Sequence, residues 1–132
     1  MSVSNALQRA IYELLIGDAA VSAFVGDRVC DAPPSTVQSP CITFGPSDVV
    51  FDEEVCSSGR VETVQLDLWS DAQDGKREVK AMCDAVKRAL DGAEPSLIDG
   101  QLIAMQVLSM RVFDDPGGGY HGVVPVECTI ED

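Results

Sequence analysis

The sequence predicts an α+β domain, with a mostly antiparallel four- to five-stranded sheet and two long helices packed on one face. Apolar residues recur at helical spacing in two segments, near the start of the chain and after residue 75. An alternating apolar and polar segment between them is typical of a strand. A glycine-rich turn joins the last two predicted strands, and so tight a connection requires antiparallel pairing. The 132 residues are expected to form a single domain, 1–132.

Two helices are predicted before residue 27. Ser4 is a suitable N-cap for the first, 5–16, because its hydroxyl can accept a hydrogen bond from a free backbone N–H. The apolar face of this helix carries Leu7, Ala10, Ile11, Leu14 and Leu15. Asp18 is predicted to cap a short second helix, Ala19–Val25, which ends at Gly26. This second helix lacks the basic and amide side chains with which a recognition helix reads DNA bases.

Two short strands are predicted next, over 28–31 and 41–44, and Gly45 with Pro46 is expected to close the second. The acidic segment 47–59 that follows is expected to be a long, mobile loop. Loops of this length usually carry a function or are disordered, so this segment is a candidate working surface.

The clearest strand is predicted over 60–70. Successive residues of this strand fall on opposite faces of the sheet. The apolar face carries Val64, Leu66 and Leu68, and the other face carries Gln65, Asp67 and Trp69. Trp69 falls on the polar side, where it lies under a loop, lies in a contact between subunits, or covers the sheet edge.

The second long helix is predicted over 76–90, with Gly92 at its end. Its apolar face carries Val79, Met82, Cys83, Val86, Ala89 and Leu90. The opposite face is charged and is predicted to be solvated. Pairs of charges on such a face stabilise a helix by only about a few tenths of a kcal/mol each.

The last third of the chain predicts a hairpin. A long strand is expected within 97–113, most clearly from Gln101 onward, followed by turn residues at 114–119 and a final strand, Tyr120–Glu131. Pro125 lacks a backbone N–H, which predicts that the final strand lies at an edge of the sheet or contains a bulge.

The composition is strongly acidic, with 22 acidic and 9 basic residues and a formal net charge of -13. Affinity for nucleic acid depends on neutralising phosphates with Lys and Arg, so direct nucleic-acid binding is not expected. The sequence shows no evident signal peptide and no apolar run long enough to span a bilayer. Secretion and membrane insertion are therefore not expected, and the chain is expected to be cytosolic when it is made. Free thiols are therefore expected for the five cysteines.

No catalytic, cofactor-binding or metal-binding residue is predicted. The chain has one histidine, His121, beside a flexible glycine-rich turn, and the expectation is a solvent-exposed residue at the end of a loop. The cysteine spacing does not resemble a zinc site. Paired carboxylates occur only in predicted loops or at the terminus, where burial cannot tune their pKa values. A weak divalent-cation site in the acidic loops is the remaining chemical alternative.

Seven segments, in this order, resemble the small phage tail completion, or tail terminator, proteins. They are LQRAIYELL at 7–15, GDRVCD at 26–31, PP at 33–34, PCITFG at 40–45, VQLDLWS at 64–70, RVFDD at 111–115 and HGVV at 121–124. The resemblance implies a mixed α/β fold that assembles, usually as a hexameric ring, on the end of the tail tube. Such a ring ends tube polymerisation and joins the tail to a head-side connector protein, in phages, prophages or gene transfer agents. The family brings no catalytic residues.

A ring of identical subunits needs head-to-tail contacts between unlike patches. Three segments are predicted to supply the contacts with other copies, the tail tube protein and the connector: the acidic loop, the basic helix face and the last hairpin. The candidate residues are Asp48, Asp52, Glu53, Glu54, Arg60, Lys76, Lys80, Lys87, Arg88, Asp114, Asp115 and His121. A head–tail connector, another minor tail component, or a small ligand- or cation-binding domain remain open as alternatives.

Overall fold

The computed structural model describes residues 2–31, 38–51 and 59–132. Within them the chain forms three helices and six strands. In chain order they are α1 (Val3–Gly17), α2 (Ala19–Val25), β1 (Val29–Cys30), β2 (Cys41–Phe51), β3 (Gly59–Ser70), α3 (Arg77–Leu90), β4 (Gln101–Val107), β5 (Arg111–Asp114) and β6 (Tyr120–Glu131). Among these described helices, none has the length and apolar character needed to cross a membrane.

The described strands form one sheet in the order β1-β2-β3-β6-β4, and β5 also pairs with β6. β1 runs parallel to β2, and the other pairs are antiparallel. The prediction of a mostly antiparallel sheet is confirmed, but the sheet has six strands instead of four or five. The extra strand arises because the long strand expected within 97–113 is interrupted at 108–110, and both halves pair with β6.

The helices pack on one face of the sheet. That face carries the alternate apolar residues of β3 and β6, all almost completely buried: Val64, Leu66, Leu68, Val124, Val126, Cys128 and Ile130. α3 lies so close to β6 that a Cβ atom built on Gly122 would be 2.8 Å from the Cys83 sulfur. The apolar faces predicted for both long helices therefore face the core, with only Leu14 and Ala89 partly exposed.

α1 begins two residues earlier than predicted. Its N-cap is Ser2, whose Oγ accepts a hydrogen bond from the Asn5 backbone N–H at 3.1 Å. Ser4, the predicted cap, instead donates a hydrogen bond to Glu62 Oε1 at 2.8 Å. Glu62 is only 2% exposed, and the Ser4 hydroxyl gives this buried carboxylate a hydrogen-bond partner. The residues around Ser4 in the sequence could not indicate this distant partner. Asp18 caps α2 as predicted, accepting from the Val21 N–H at 3.0 Å.

The prediction that the second strand ends at Phe44 is wrong, because β2 continues through Gly45 and Pro46 to Phe51. A register shift between Phe44 and Ser47 accommodates the proline. Residues 47–51 are thus strand and not loop, while the rest of the predicted acidic loop, including Asp52, Glu53 and Glu54, lies outside the described residues.

The prediction that the last strand lies at an edge of the sheet or contains a bulge is wrong. β6 is central and pairs with β3 along its whole length and with β4 and β5 on its other side. The Pro125 carbonyl accepts from the Leu108 N–H at 3.0 Å, so its ring nitrogen also faces the interruption between β4 and β5. The missing N–H falls where the neighbouring strand is already broken, which makes a central proline tolerable.

Candidate assembly surfaces

An aromatic cluster lies on the sheet face opposite the helices. Trp69, His121 and Phe113 occupy directly paired positions on β3, β6 and β5. The rings of Trp69 and His121 are stacked, with centroids 3.9 Å apart, and the Phe113 ring is tilted against His121 at 4.8 Å. The cross-strand register therefore builds an aromatic cluster from residues 69, 113 and 121.

Polar contacts hold this aromatic cluster in place. His121 Nε2 lies 2.8 Å from Asp67 Oδ1, and Gln65 Nε2 donates to the same oxygen at 2.9 Å. Trp69 Nε1 donates to Thr43 Oγ1 at 3.0 Å. The expectation that His121 is a solvent-exposed loop residue is wrong: its side chain is 14% exposed because Trp69 and Asp67 cover it. Trp69, whose role the sequence left open, stacks on a strand neighbour within its own subunit.

The basic face of α3 is exposed as predicted. Lys80, Lys87 and Arg88 are all exposed and, among the described residues, form no ion pair. Lys76, just before α3, lies 2.8 Å from Asp114 of β5, and the hydrogen bond with this carboxylate raises the pKa of Lys76. The fold thus brings Lys76 and Asp114 together and leaves the rest of the basic face available to a partner.

Arg60 and Asp115 are engaged within the subunit. Arg60 forms two hydrogen bonds of 2.7 Å with the Asp132 carboxylate, one from Nε and one from Nη2. These bonds raise the pKa of Arg60 and lower the pKa of Asp132. Asp115 Oδ2 accepts the Gly117 N–H at 3.1 Å and so shapes the turn before β6. The contacts of Arg60 were not evident from the sequence, because its partners lie 56 and 72 residues away.

Of the predicted acidic group, only Asp48 is described, and it is exposed on β2 opposite Thr63. Two large apolar neighbours, Val50 and Phe51, are 58% and 71% exposed. At the other edge of the sheet, Leu108 and Met110 are 47% and 40% exposed. These exposed apolar residues were not predicted from the sequence, although the apolar run at 49–51 inside an acidic segment was a signal for Val50 and Phe51.

Three cysteines are buried structural residues. Burial raises the pKa of Cys83 to about 11 and that of Cys128 to about 12, and it also raises the pKa of Cys41. A thiol with so high a pKa is a poor nucleophile at neutral pH. Within the described residues, moreover, no three His, Cys, Asp or Glu side chains converge as metal ligands would.

The comparisons with known proteins decide the family. The model of the tail completion protein gp17 family matches residues 9–131. The chain belongs to the tail completion protein gp17 family. A chain in the virion of a native gene transfer agent particle is 30% identical, with a TM-score of 0.88 and coverage of 99% of this chain and 98% of that one. The gp17 protein of bacteriophage SPP1 is 25% identical, with a TM-score of 0.62 and coverage of 98% and 91%. A search of curated proteins found no match.

Membership of this family confirms the resemblance seen in the seven sequence segments. The chain is a structural component of a virion tail, of the kind found in phages and gene transfer agents. The surfaces described above are accordingly candidates for assembly contacts.

Proposed function

We propose that the chain caps the tail tube as a ring of identical subunits, ends tube polymerisation and joins the tail to the head-side connector protein. The observation that carries this proposal is the match to a chain of a gene transfer agent virion over 99% of the sequence at a TM-score of 0.88. Similarity over almost the entire length of both chains supports a shared place in the particle, and the family match over 9–131 supports a place in the tail.

A cyclic ring needs two unlike patches on each subunit, since every contact joins one patch to the other. The exposed basic residues Lys80, Lys87 and Arg88 supply one candidate patch, and the acidic sequence segment 47–54 supplies the other. Replacing Lys80, Lys87 and Arg88 together with Glu should abolish the oligomer. An unchanged mass by light scattering, under conditions where the native chain forms rings, would exclude this pairing of patches.

The acidic charge suits a ring through which DNA passes. With a net charge of -13 the lumen is expected to repel phosphates, and repulsion keeps DNA from adhering to the passage. Accordingly no DNA binding is expected at physiological salt. A gel-shift assay that detected micromolar affinity would contradict this part of the proposal.

The decisive experiment is removal of the gene from the phage or gene transfer agent that encodes it. Electron microscopy of the mutant lysate should show unattached heads and tails of undefined length, and a plasmid copy should restore joined particles. Joined particles with tails of normal length in the mutant would overturn the proposal. Tails of normal length that remain detached from heads would indicate a connector subunit instead.

A further inference from the structure

Two edges of the described sheet are open. β1 covers β2 only at Ile42 and Thr43, so the far half of β2, Ser47–Phe51, has no outer neighbour among the described residues. At the other side, β4 and β5 pair only with β6. Open strand edges present unpaired backbone N–H and C=O groups, which monomeric proteins usually protect with charged side chains or prolines.

Both open edges carry exposed apolar side chains beside charged ones such as Asp48 and Arg111. Val50 and Phe51 are 58% and 71% exposed at the end of β2, and Ile103 is 51% exposed in β4. Leu108 and Met110, in the interruption between β4 and β5, are 47% and 40% exposed. Large apolar side chains on an unpaired edge favour the addition of a strand from another chain. The two edges differ in sequence and lie on opposite sides of one sheet, which is the arrangement that a head-to-tail contact needs.

A cleft beside β5 can receive an aromatic side chain. It opens between α3 and β5, is lined by Lys80, Cys83, Asp84, Met110 and Val112, and has a volume of about 380 Å³. A cavity of about 150 Å³ suffices to hold a benzene molecule. The cleft lies on the helix-covered side of the sheet, because Val112 pairs with Gly122, which contacts α3.

The alternation of side chains makes the two edges complementary on both faces of the sheet. Phe51 pairs with Arg60 and points to the helix-covered side, the side on which the cleft opens. Asp48 pairs with Thr63 and points to the opposite side, where Arg111 is exposed at the β5 edge. A neighbouring β2 edge laid along β5 would therefore bring an aromatic ring to the cleft and a carboxylate to a guanidinium.

We propose that the Ser47–Phe51 edge of one copy docks on the β5 edge of a second copy, with Phe51 in the cleft beside Met110 and Asp48 paired with Arg111. This contact deepens the proposed ring function and rests on it. A chain with a net charge of -13 repels its own copies unless a specific contact overcomes that repulsion. The Phe51 ring supplies an apolar anchor for such a contact. The attraction between Asp48 and Arg111 offsets part of the repulsion between the two copies.

Photo-crosslinking in assembled particles tests the contact directly. The amino acid p-benzoylphenylalanine is placed at position 51, and separately at position 110, and purified particles are irradiated and analysed by mass spectrometry. The probe at 51 should link to residues 80–84 or 110–112 of a second copy, and the probe at 110 should link to residues 48–51. Links to a different virion protein, or to other segments of this chain, would overturn the contact.

Substitutions test whether particles need the contact. In a gene-deletion host, plasmid copies carrying Phe51→Glu or Met110→Glu should lower the particle titre at least about tenfold, since each removes an interface anchor. Ile98→Glu is the matched control, because Ile98 is 67% exposed but lies in the connection between α3 and β4. Equal titres for all three variants would contradict the proposal.

A charge exchange guards against variants that merely misfold. Asp48→Arg and Arg111→Asp should each lower the titre, and the double variant should restore it, because the exchanged pair again attracts. Absence of recovery in the double variant would count against the pairing. Rings seen by electron microscopy with crosslinks elsewhere would refute this interface and keep the ring function, whereas particles without any ring of this chain would refute the function itself.

Discussion

The indole ring of Trp69 lies flat against the imidazole ring of His121, with centroids 3.9 Å apart and planes inclined by 13°. These residues are 52 positions apart in the chain and face each other directly in the pairing of β3 with β6. The contact shows that the aromatic residues of the helix-free face are organised by strand register and are part of the stable fold.

Replacing His121 with Ala should destabilise the subunit. The change removes the stacked ring and one of the two hydrogen bonds to Asp67, whose side chain is 11% exposed. Loss of a partner for a largely buried carboxylate costs about 1–3 kcal/mol. Urea denaturation followed by circular dichroism measures the change. Trp69→Phe is a useful comparison, since it keeps an aromatic ring and loses only the bond to Thr43, and a His121→Ala effect below that of Trp69→Phe would contradict the prediction.

Replacing Gly45 with Ala should destabilise the subunit through a direct clash. A Cβ atom at this position would overlap Asp67 Oδ2 and lie 3.3 Å from Gln65 Nε2. Forcing an extra methyl group into a packed site typically costs about 1–3 kcal/mol. Gly17→Ala is the control, because nothing lies within 4 Å of its Cβ. Thermal denaturation should separate the two variants, and equal melting temperatures would show that the bulge at Gly45 relaxes freely.

The Arg60–Asp132 pair should make stability depend on pH. Arg60 lowers the pKa of Asp132 in the folded state, so the pair stabilises the fold above the unfolded pKa of the carboxyl group and ceases to do so as the pH falls through the folded pKa. Asp132→Asn should thus lower the urea midpoint at about pH 6. At about pH 2 the midpoints of the variant and the unchanged chain should be equal. The exposed Asp74 provides the control variant Asp74→Asn. If Asp132→Asn lowered the urea midpoint as much at the lower pH as at the higher one, the predicted pH dependence of the Arg60–Asp132 pair would be wrong.

Cys83 and Cys128 should resist alkylation in the folded protein. Burial raises their pKa values to about 11 and about 12, and only the thiolate reacts readily. Iodoacetamide at about pH 8, followed by peptide mass spectrometry, should label neither residue until urea is added. Cys30, which is half-buried, provides an internal comparison within the same sample. Rapid labelling of Cys128 before unfolding would show that β6 opens locally.

Local chemistry in the sequence predicted most of the elements. The helical spacing of apolar residues placed α3 to within one residue of its observed start, and the alternation in 60–70 predicted β3 and its buried face. The cap at Asp18 and the strand Tyr120–Glu131 are also confirmed. Each of these features depends on residues that are neighbours in the chain, so the sequence contains the information that decides them.

The errors share a cause. The extension of β2 past Pro46, the central position of β6 despite Pro125, and the burial of His121 all depend on which strand lies alongside. Strand pairing joins segments that are not neighbours in the chain, and it leaves no local pattern from which to read it. The edges that carry Phe51 and Met110 were missed for the same reason, since a strand edge exists only once the strand order is known.

By itself the sequence determined the helices, the buried face of each main strand, the acidic charge and, through seven ordered segments, the family. Only the tertiary structure decided the strand order, the stacking of Trp69 on His121, the partners of Ser4 and Arg60, and the two open apolar edges. The physical reason is that periodicity and turn chemistry act between chain neighbours, whereas register and exposure are set by the packing of distant segments into one sheet.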